Sequence, residues 1–195
     1  MSNLDLALSV ALGIGLAAAT GFRLFLPLLI LSVAAYTGHA GLNEGFAWLG
    51  TPAAVIMLGT AAIVEIAAFY IPGVDNLLDT VATPGAVVAG TIASAAVMTD
   101  VPPMLKWTAA VIAGGGVAGV TQGLTAMLRA KSTVFTGGLG NSVVATAELG
   151  GASLIAVLAL AAPVAALVLV ALFFWLAFRL VRSLARGTPQ REKAP

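Results

Sequence analysis

The sequence predicts an all-α, polytopic membrane helix bundle of about six transmembrane spans, built as a 3+3 inverted repeat with broken or kinked helices. Three observations carry this. The chain is 60% hydrophobic and 9% charged over 195 residues, with mean hydropathy +1.06, too little charge to cover a soluble domain. Its apolar runs repeatedly reach the ~20 residues that cross ~30 Å of hydrocarbon. Gly and Pro punctuate those runs, and Pro52, Pro84 and Pro163 each open one, where a missing N–H is harmless.

The same composition excludes several function classes. Net charge is +1, which gives no footprint for nucleic acid. The absence of Cys removes disulfides, thiol catalysis and iron–sulfur clusters. His39, the single His, makes no transition-metal site without Cys. No Ser has a recognisable His or Lys partner, so hydrolase chemistry has no support. No enzyme activity and no cofactor are expected. The start, MSNLDLALSV, has no basic region and carries Asp5, so the first apolar segment is expected to stay in the protein.

The transmembrane domain is expected over residues 1–186, followed by a flexible basic tail at 187–195. The first apolar run, residues 4–35, is too long for one straight span. It reads either as a kinked span or as a broken helix whose halves meet near Thr20-Gly21. A loop at 36–51 offers Tyr36 and Trp48 as interface anchors. A second helix is expected at 52–71, ended by Ile71-Pro72-Gly73. An acidic connector follows at 73–83, with a second break at Thr83-Pro84-Gly85. The third helix, 84–98, is rich in small residues, including Gly85, Gly90 and Ser94, and such faces pack closely on neighbours.

A turn at 99–103 precedes a fourth helix at 104–128. Gly115, Gly119 and Gly123 form a packing stripe on it. A loop holding Arg129, Lys131 and TGGLGN (136–141) leads to a fifth helix at 142–161. The sixth helix, 163–180, is the plainest span and is expected to face lipid.

With six spans and both termini inside, one side receives Arg129, Lys131, Arg179, Arg182, Arg186, Arg191 and Lys193, and the other only Lys106. That asymmetry places both termini in the cytoplasm. The halves 4–99 and 104–186 echo each other. Gly13-Ile14-Gly15 with Thr20 matches Gly114-Gly115-Gly116 with Thr121. Ala62-Ile63-Val64-Glu65 matches Ala145-Thr146-Ala147-Glu148, and Pro84 matches Pro163. Inverted repeats of this kind place a binding site near the midplane at discontinuous helices.

The residues able to carry chemistry are few. Glu65 and Glu148 fall inside apolar helices, where a carboxylate must be paired, hydrated or protonated. They read as a proton or cation site flanking one central cavity, or as structural acids, one of them paired with Arg23. Arg23 keeps its charge and reads as a counter-charge for those acids, a contact for an anionic substrate, or a snorkelling residue. Asp75 and Asp79 share a helical face and form either a cation-attracting pore mouth or a solvated connector. Thr121 and Gln122 add hydrogen-bonding groups. Asn141, at the end of TGGLGN, opens the fifth helix, where backbone N–H groups could meet an anion.

Three stretches carry a family resemblance: TGFRLFLPLLILS around Arg23, VEIAAFYIPGVDNLLDTVATPGAVVAG around Glu65, and STVFTGGLGNSVVATAELGGASLIAVLAL around Glu148. With the helix spacing, they resemble the bacterial integral membrane proteins grouped as domain of unknown function 4126, over nearly the whole chain except the tail. Its members tend to carry Glu-Asp where Glu148-Leu149 stand here, and a basic residue where Phe69-Tyr70 stand. The resemblance implies a multi-pass protein of the bacterial inner membrane and assigns no activity.

The leading functional expectation is a channel or transporter for a small solute, proton or cation, with Glu65, Glu148, Arg23, Asp75, Asp79, Thr121, Gln122 and Asn141 as binding residues. Its partners would be the lipid bilayer and possible second copies of the chain. The alternative is a structural or accessory subunit, docking a partner helix on the Gly85, Gly90 and Ser94 face. A membrane enzyme using Asp75 and Asp79 as metal ligands is a third class.

Overall fold

The computed structural model describes residues 3–71, 73–99 and 101–186. Pro72, Asp100 and the tail 187–195, with Arg191 and Lys193, lie outside the described residues. The order is α1 (Asn3–Thr20), α2 (Phe25–Tyr36), a 3-10 turn (Glu44–Gly50), α3 (Pro52–Phe69), α4 (Val74–Val97), α5 (Pro103–Ala109), a π segment (Ala110–Gly115), α6 (Gly116–Thr136), α7 (Asn141–Ala161) and α8 (Pro163–Arg186). No strand occurs among the described residues. Four helical stretches are long and apolar enough to cross a membrane: Pro52–Phe69, Leu77–Val97, Pro103–Thr136 and Asn141–Ala161.

The first run is broken, and the break turns the chain back. The Gly21 N–H donates to the carbonyls of Ala17 and Ala18, and that of Arg23 to Ala19, which closes α1. Gly21 is required by packing: a methyl group there would lie 2.4 Å from Thr121 Cβ and 2.5 Å from the Ala118 carbonyl oxygen. Pro27, in the first turn of α2, lacks an N–H that would have no helical partner there anyway.

The contacts fix the directions of the two helices. Ser94 Oγ donates to the Gly13 carbonyl at 2.8 Å, Thr20 meets Gly90, and Leu24 meets Gly85, so α1 runs antiparallel to α4. Helix α2 then returns, with Leu29 beside Gly59 and Ala35 beside Gly50. The Asn43 N–H donates to the Ala96 carbonyl at 2.7 Å. Residues 36–43 thus come back to the end of α4 that Gly13 faces. Helices α1 and α2 form a hairpin with its tip at residues 21–24. Of the two readings of the first run, the broken helix is the one observed. The two chain ends also part: α8 starts beside Gly15 through Ala166 and passes the hairpin tip at Phe173, 5.0 Å from the Phe22 ring. Asn3 and Arg186 therefore lie at opposite ends of the bundle.

Two helix boundaries also differ from expectation. Pro84 lies inside α4, which is continuous from Val74 to Val97, so the second break does not occur. Proline removes one backbone bond, but packing holds α4 on both sides of it. Asp75 and Asp79 tie the first half to α6 and α7, and the second half meets α1 and α6 through Gly90 and Ser94. Helix α6 runs on to Thr136, which draws Arg129 out of the expected loop and into the protein.

Small residues set the packing distance, as membrane interfaces favour. A methyl group on Gly90 would lie 2.5 Å from Ala118 Cβ, and one on Gly114 would lie 2.4 Å from Ser94 Oγ. Within the predicted glycine stripe, Gly115 and Gly119 press on Thr91 and Val87, while Gly123 faces open space. The π segment falls where Gly114 and Gly115 meet α4, a common place for such a bulge to aid a close approach. The Gly85, Gly90 and Ser94 face, expected to be free for a partner helix, is filled by the protein's own Leu24, Ala118 and Gly13.

Candidate functional site

Four helix segments bring their charges to one layer beside the hairpin tip. At ~1.5 Å per residue, Glu65, Asp79, Arg129 and Glu148 lie about 6–10 Å inside the neighbouring ends of α3, α4, α6 and α7. From the opposite direction the hairpin inserts Arg23.

Arg129 is the hub, and its side chain is completely buried. Its Nε donates to Asp79 Oδ2 at 3.0 Å, its Nη2 reaches Asp79 Oδ1, and its Nη1 reaches Glu148 Oε2. Gln122 Nε2 donates to the same Asp79 at 3.2 Å. On the far side of Glu148, Arg23 Nη2 lies 3.3 Å from Oε2 and donates to the Ala145 carbonyl at 2.9 Å. The result is an alternating chain: Asp79, Arg129, Glu148, Arg23. Two negative and two positive groups balance within it. Both guanidiniums also lie over the Phe69 ring, at 4.0 Å for Arg23 and 4.4 Å for Arg129, where the ring face attracts cations.

Glu65 has a different role from Glu148. Its Oε1 accepts the Leu24 N–H at 2.7 Å and its Oε2 the Phe25 N–H at 3.0 Å. Backbone N–H groups at a helix start have no partner within the helix and carry partial positive charge. A side chain from α3 therefore caps α2 and pins the hairpin tip. The ion pairs among the described residues join Arg23 to Glu148, and Arg129 to both Asp79 and Glu148; the hydrogen bonds of Glu65 are to backbone N–H groups.

A second branch lies nearer the helix ends. Asn141 Nδ2 donates to Asp75 Oδ2 and, at 2.8 Å, to Thr133 Oγ1. Asp75 also accepts the Gly73 N–H at 2.8 Å. Asp75 is 1% exposed, so it is no solvated connector and no open pore mouth. Buried polar atoms of this layer without a hydrogen bond are Arg23 Nε and Nη1, Asn141 Oδ1 and Glu148 Oε1.

Of the residues singled out in the sequence, Glu148, Arg23, Asp79 and Gln122 thus meet in one network, Asp75 and Asn141 form its branch, and Glu65 holds the tip. Thr121 does not join: its Oγ1 returns to the Val117 carbonyl at 2.9 Å and its body packs on Gly21. His39 is exposed and pairs with Thr37. The TGGLGN stretch makes a turn, with Gly137 and Gly138 at positive φ. Arg129 and Thr133 are the members that sequence reading missed. The available signal was spacing: Gln122, Thr125, Arg129 and Thr133 recur at i, i+3, i+7 and i+11, one polar face of a longer helix.

Beside the tip, α2, α3 and α4 leave a groove of about 610 Å³, lined by Leu24, Phe25, Met57, Val64, Phe69 and Leu78 among others. Glu65 is the one ionisable side chain in its wall. Neighbouring Ile63, Val64, Leu77 and Val81 are well exposed on the outer surface, as lipid-facing residues are.

Compared with known proteins, residues 10–183 match a family model described as Domain of unknown function (DUF4126). The chain belongs to that family. No curated protein and no solved structure gives a match. The match confirms the resemblance carried by the Arg23, Glu65 and Glu148 stretches and spans every described helix at least in part. For this DUF4126 protein, the apolar helical architecture supports a membrane protein, and the chemistry must be argued from the charged layer.

Proposed function

We propose that this protein passes a small solute or ion across the bacterial inner membrane, using the charged layer at the hairpin tip as its central site. One observation carries the reading: a re-entrant hairpin brings non-helical backbone and Arg23 into contact with a buried, alternating chain of four charges. Irregular backbone at membrane depth is tolerated where protein buries it or it lines a cavity, and intramembrane charges mark substrate and ion pathways by default. Glu148 contacts two guanidiniums at once, so a change in its charge or partner shifts both Arg23 and Arg129. Arg23 belongs to the hairpin, which couples the ion-pair chain to the tip. A purely structural role would need only the ion pairs.

In this reading the hairpin replaces the first of the six expected spans, and α3, α4, α5–α6, α7 and α8 cross. Lys131, Arg179 and Arg182 gather at one end of the bundle, and that end is assigned to the cytoplasm. The C-terminus is then cytoplasmic and the N-terminus faces outward. The inverted-repeat reading has its support in Glu65 and Glu148, which reach the same layer from α3 and α7. Pro84 and Pro163 differ in place, inside α4 and at the start of α8.

The test is flux of protons and monovalent ions in proteoliposomes, comparing the wild type with Glu148→Gln and Arg23→Gln. Flux that vanishes in folded variants supports the reading. A wild type that conducts nothing over a broad panel of ions and small solutes contradicts it.

A further inference from the structure

We propose that the groove between α2, α3 and α4 binds a monovalent organic cation with an apolar body, with Glu65 as its counter-ion. This rests on the transport reading and names the substrate class of that site. The argument starts from charge. Asp79 and Glu148 are paired directly with Arg129 and Arg23 and Asp75 is bonded by Asn141 and the Gly73 N–H, whereas Glu65 makes no direct ion pair with either guanidinium. Its hydrogen-bond partners are the N–H groups of Leu24 and Phe25, which offer partial charges, and Arg23 and Arg129 act on it without a direct ion pair. A carboxylate has about four acceptor positions, so capacity for a further cationic partner remains.

Glu65 is also the ionisable residue through which the layer meets the groove. In a low-dielectric setting, the attraction of that carboxylate for a cation is far larger than in water. The rest of the wall selects the body of the ligand. Beside Glu65 the wall offers one side-chain oxygen, the Thr60 hydroxyl, whose proton goes to the Ile56 carbonyl, too few oxygens to replace the hydration shell of a small metal ion. No group of three His, Cys, Asp or Glu residues suited to a metal occurs among the described residues. An anion would meet Glu65 head-on. A delocalised or quaternary cation loses little hydration, gains from apolar contact and can lie against the Phe25 ring. The volume of about 610 Å³ falls in the ordinary range for small-molecule sites, ~300–1,000 Å³. The exposed rim at Met57, Val64 and Val81 gives such a molecule access from the lipid.

The experiment is equilibrium binding of tetraphenylphosphonium to the purified full chain in detergent, with tetraphenylborate as the competitor of matched shape and opposite charge. Two variants separate the parts. Glu65→Gln removes the counter-ion, and Ala61→Trp fills the groove while leaving the Glu65 hydrogen bonds in place. Saturable binding is expected in the wild type, weakened about tenfold or more by each variant, with tetraphenylborate failing to compete. Equal binding by the wild type and Glu65→Gln overturns the proposal. So does equal competition by tetraphenylborate, which would make the groove a site for any apolar body or lipid chain. Binding needs no flux: cation binding without flux contradicts only the transport reading, and flux without cation binding contradicts only this inference.

Discussion

Replacing Arg129 with Met tests whether the charged layer is a connected unit. The aliphatic replacement keeps much of the side-chain volume and removes the guanidinium. Three interactions go with it: the two-pronged contact with Asp79, the contact with Glu148 and the approach to the Phe69 ring. Asp79 is left with Gln122 as its remaining side-chain donor, at 3.2 Å. Glu148 keeps Arg23 at 3.3 Å. Stranding one partner of a buried pair costs about 3–5 kcal/mol, and losing the ring contact adds about 0.5–2 kcal/mol. The Arg23 contact offsets part of this, so we expect Arg129→Met to lose about 3–5 kcal/mol. Adding Asp79→Asn to the same chain removes the stranded charge and should restore about half of the loss, because neighbours in one network are not additive. Reversible unfolding in mixed micelles, followed by helical circular dichroism, measures both. A loss below about 1 kcal/mol, the range of an exposed pair, would refute the buried hub. A double variant no more stable than the single one would refute the link to Asp79.

Two further predictions concern the hairpin tip. Gly21→Ala should destabilise by about 1–3 kcal/mol or more, since the new methyl group would overlap Thr121 and the Ala118 carbonyl. Gly123→Ala, on the same α6 but facing open space, should be neutral or stabilise by up to about 1 kcal/mol; thermal denaturation of the two side by side gives the contrast. Glu65→Gln should lose about 1.5–3 kcal/mol in the same unfolding assay, the range of a hydrogen bond to a charged group, because one amide end faces a backbone N–H it cannot accept. Equal stability of Glu65→Gln and wild type would show that the α2 cap is not formed.

Composition and run length were enough to give an all-helical membrane protein, and Thr20-Gly21 was where one of two readings of the first run placed a break. Glu65, Glu148 and Arg23 stood out because each interrupts an apolar run. The direction of the chain after the break was not legible. Helix periodicity is the same whether α2 continues across the bilayer or turns back, and the deciding contacts, such as Asn43 with Ala96, lie far apart in sequence. Arg129 read as a loop residue because polarity near Lys131 and Ser132 looks like a helix end. Its burial depends on Asp79, 50 positions away. Asp75 and Asp79 read as solvated for the same reason: a charge and its distant partner carry no local signature. Pro84 read as a break because local rules give proline no reason to continue a helix, whereas tertiary contacts on both sides hold α4 together.

The re-entrant hairpin carries both the functional reading and the cation site, and a topology measurement tests it most directly. The chain has no native Cys, so single Cys replacements report cleanly. Leu4, His39 and Met104 lie at one end of the bundle, and Lys131, Leu139 and Arg182 at the other; all six are exposed. With a membrane-impermeant thiol reagent applied to intact cells, Leu4→Cys and His39→Cys should label together with Met104→Cys. Lys131→Cys, Leu139→Cys and Arg182→Cys should label only after the cells are opened. If Leu4→Cys and His39→Cys label from opposite sides, residues 4–35 cross the membrane, and the hairpin and the site built on it are wrong.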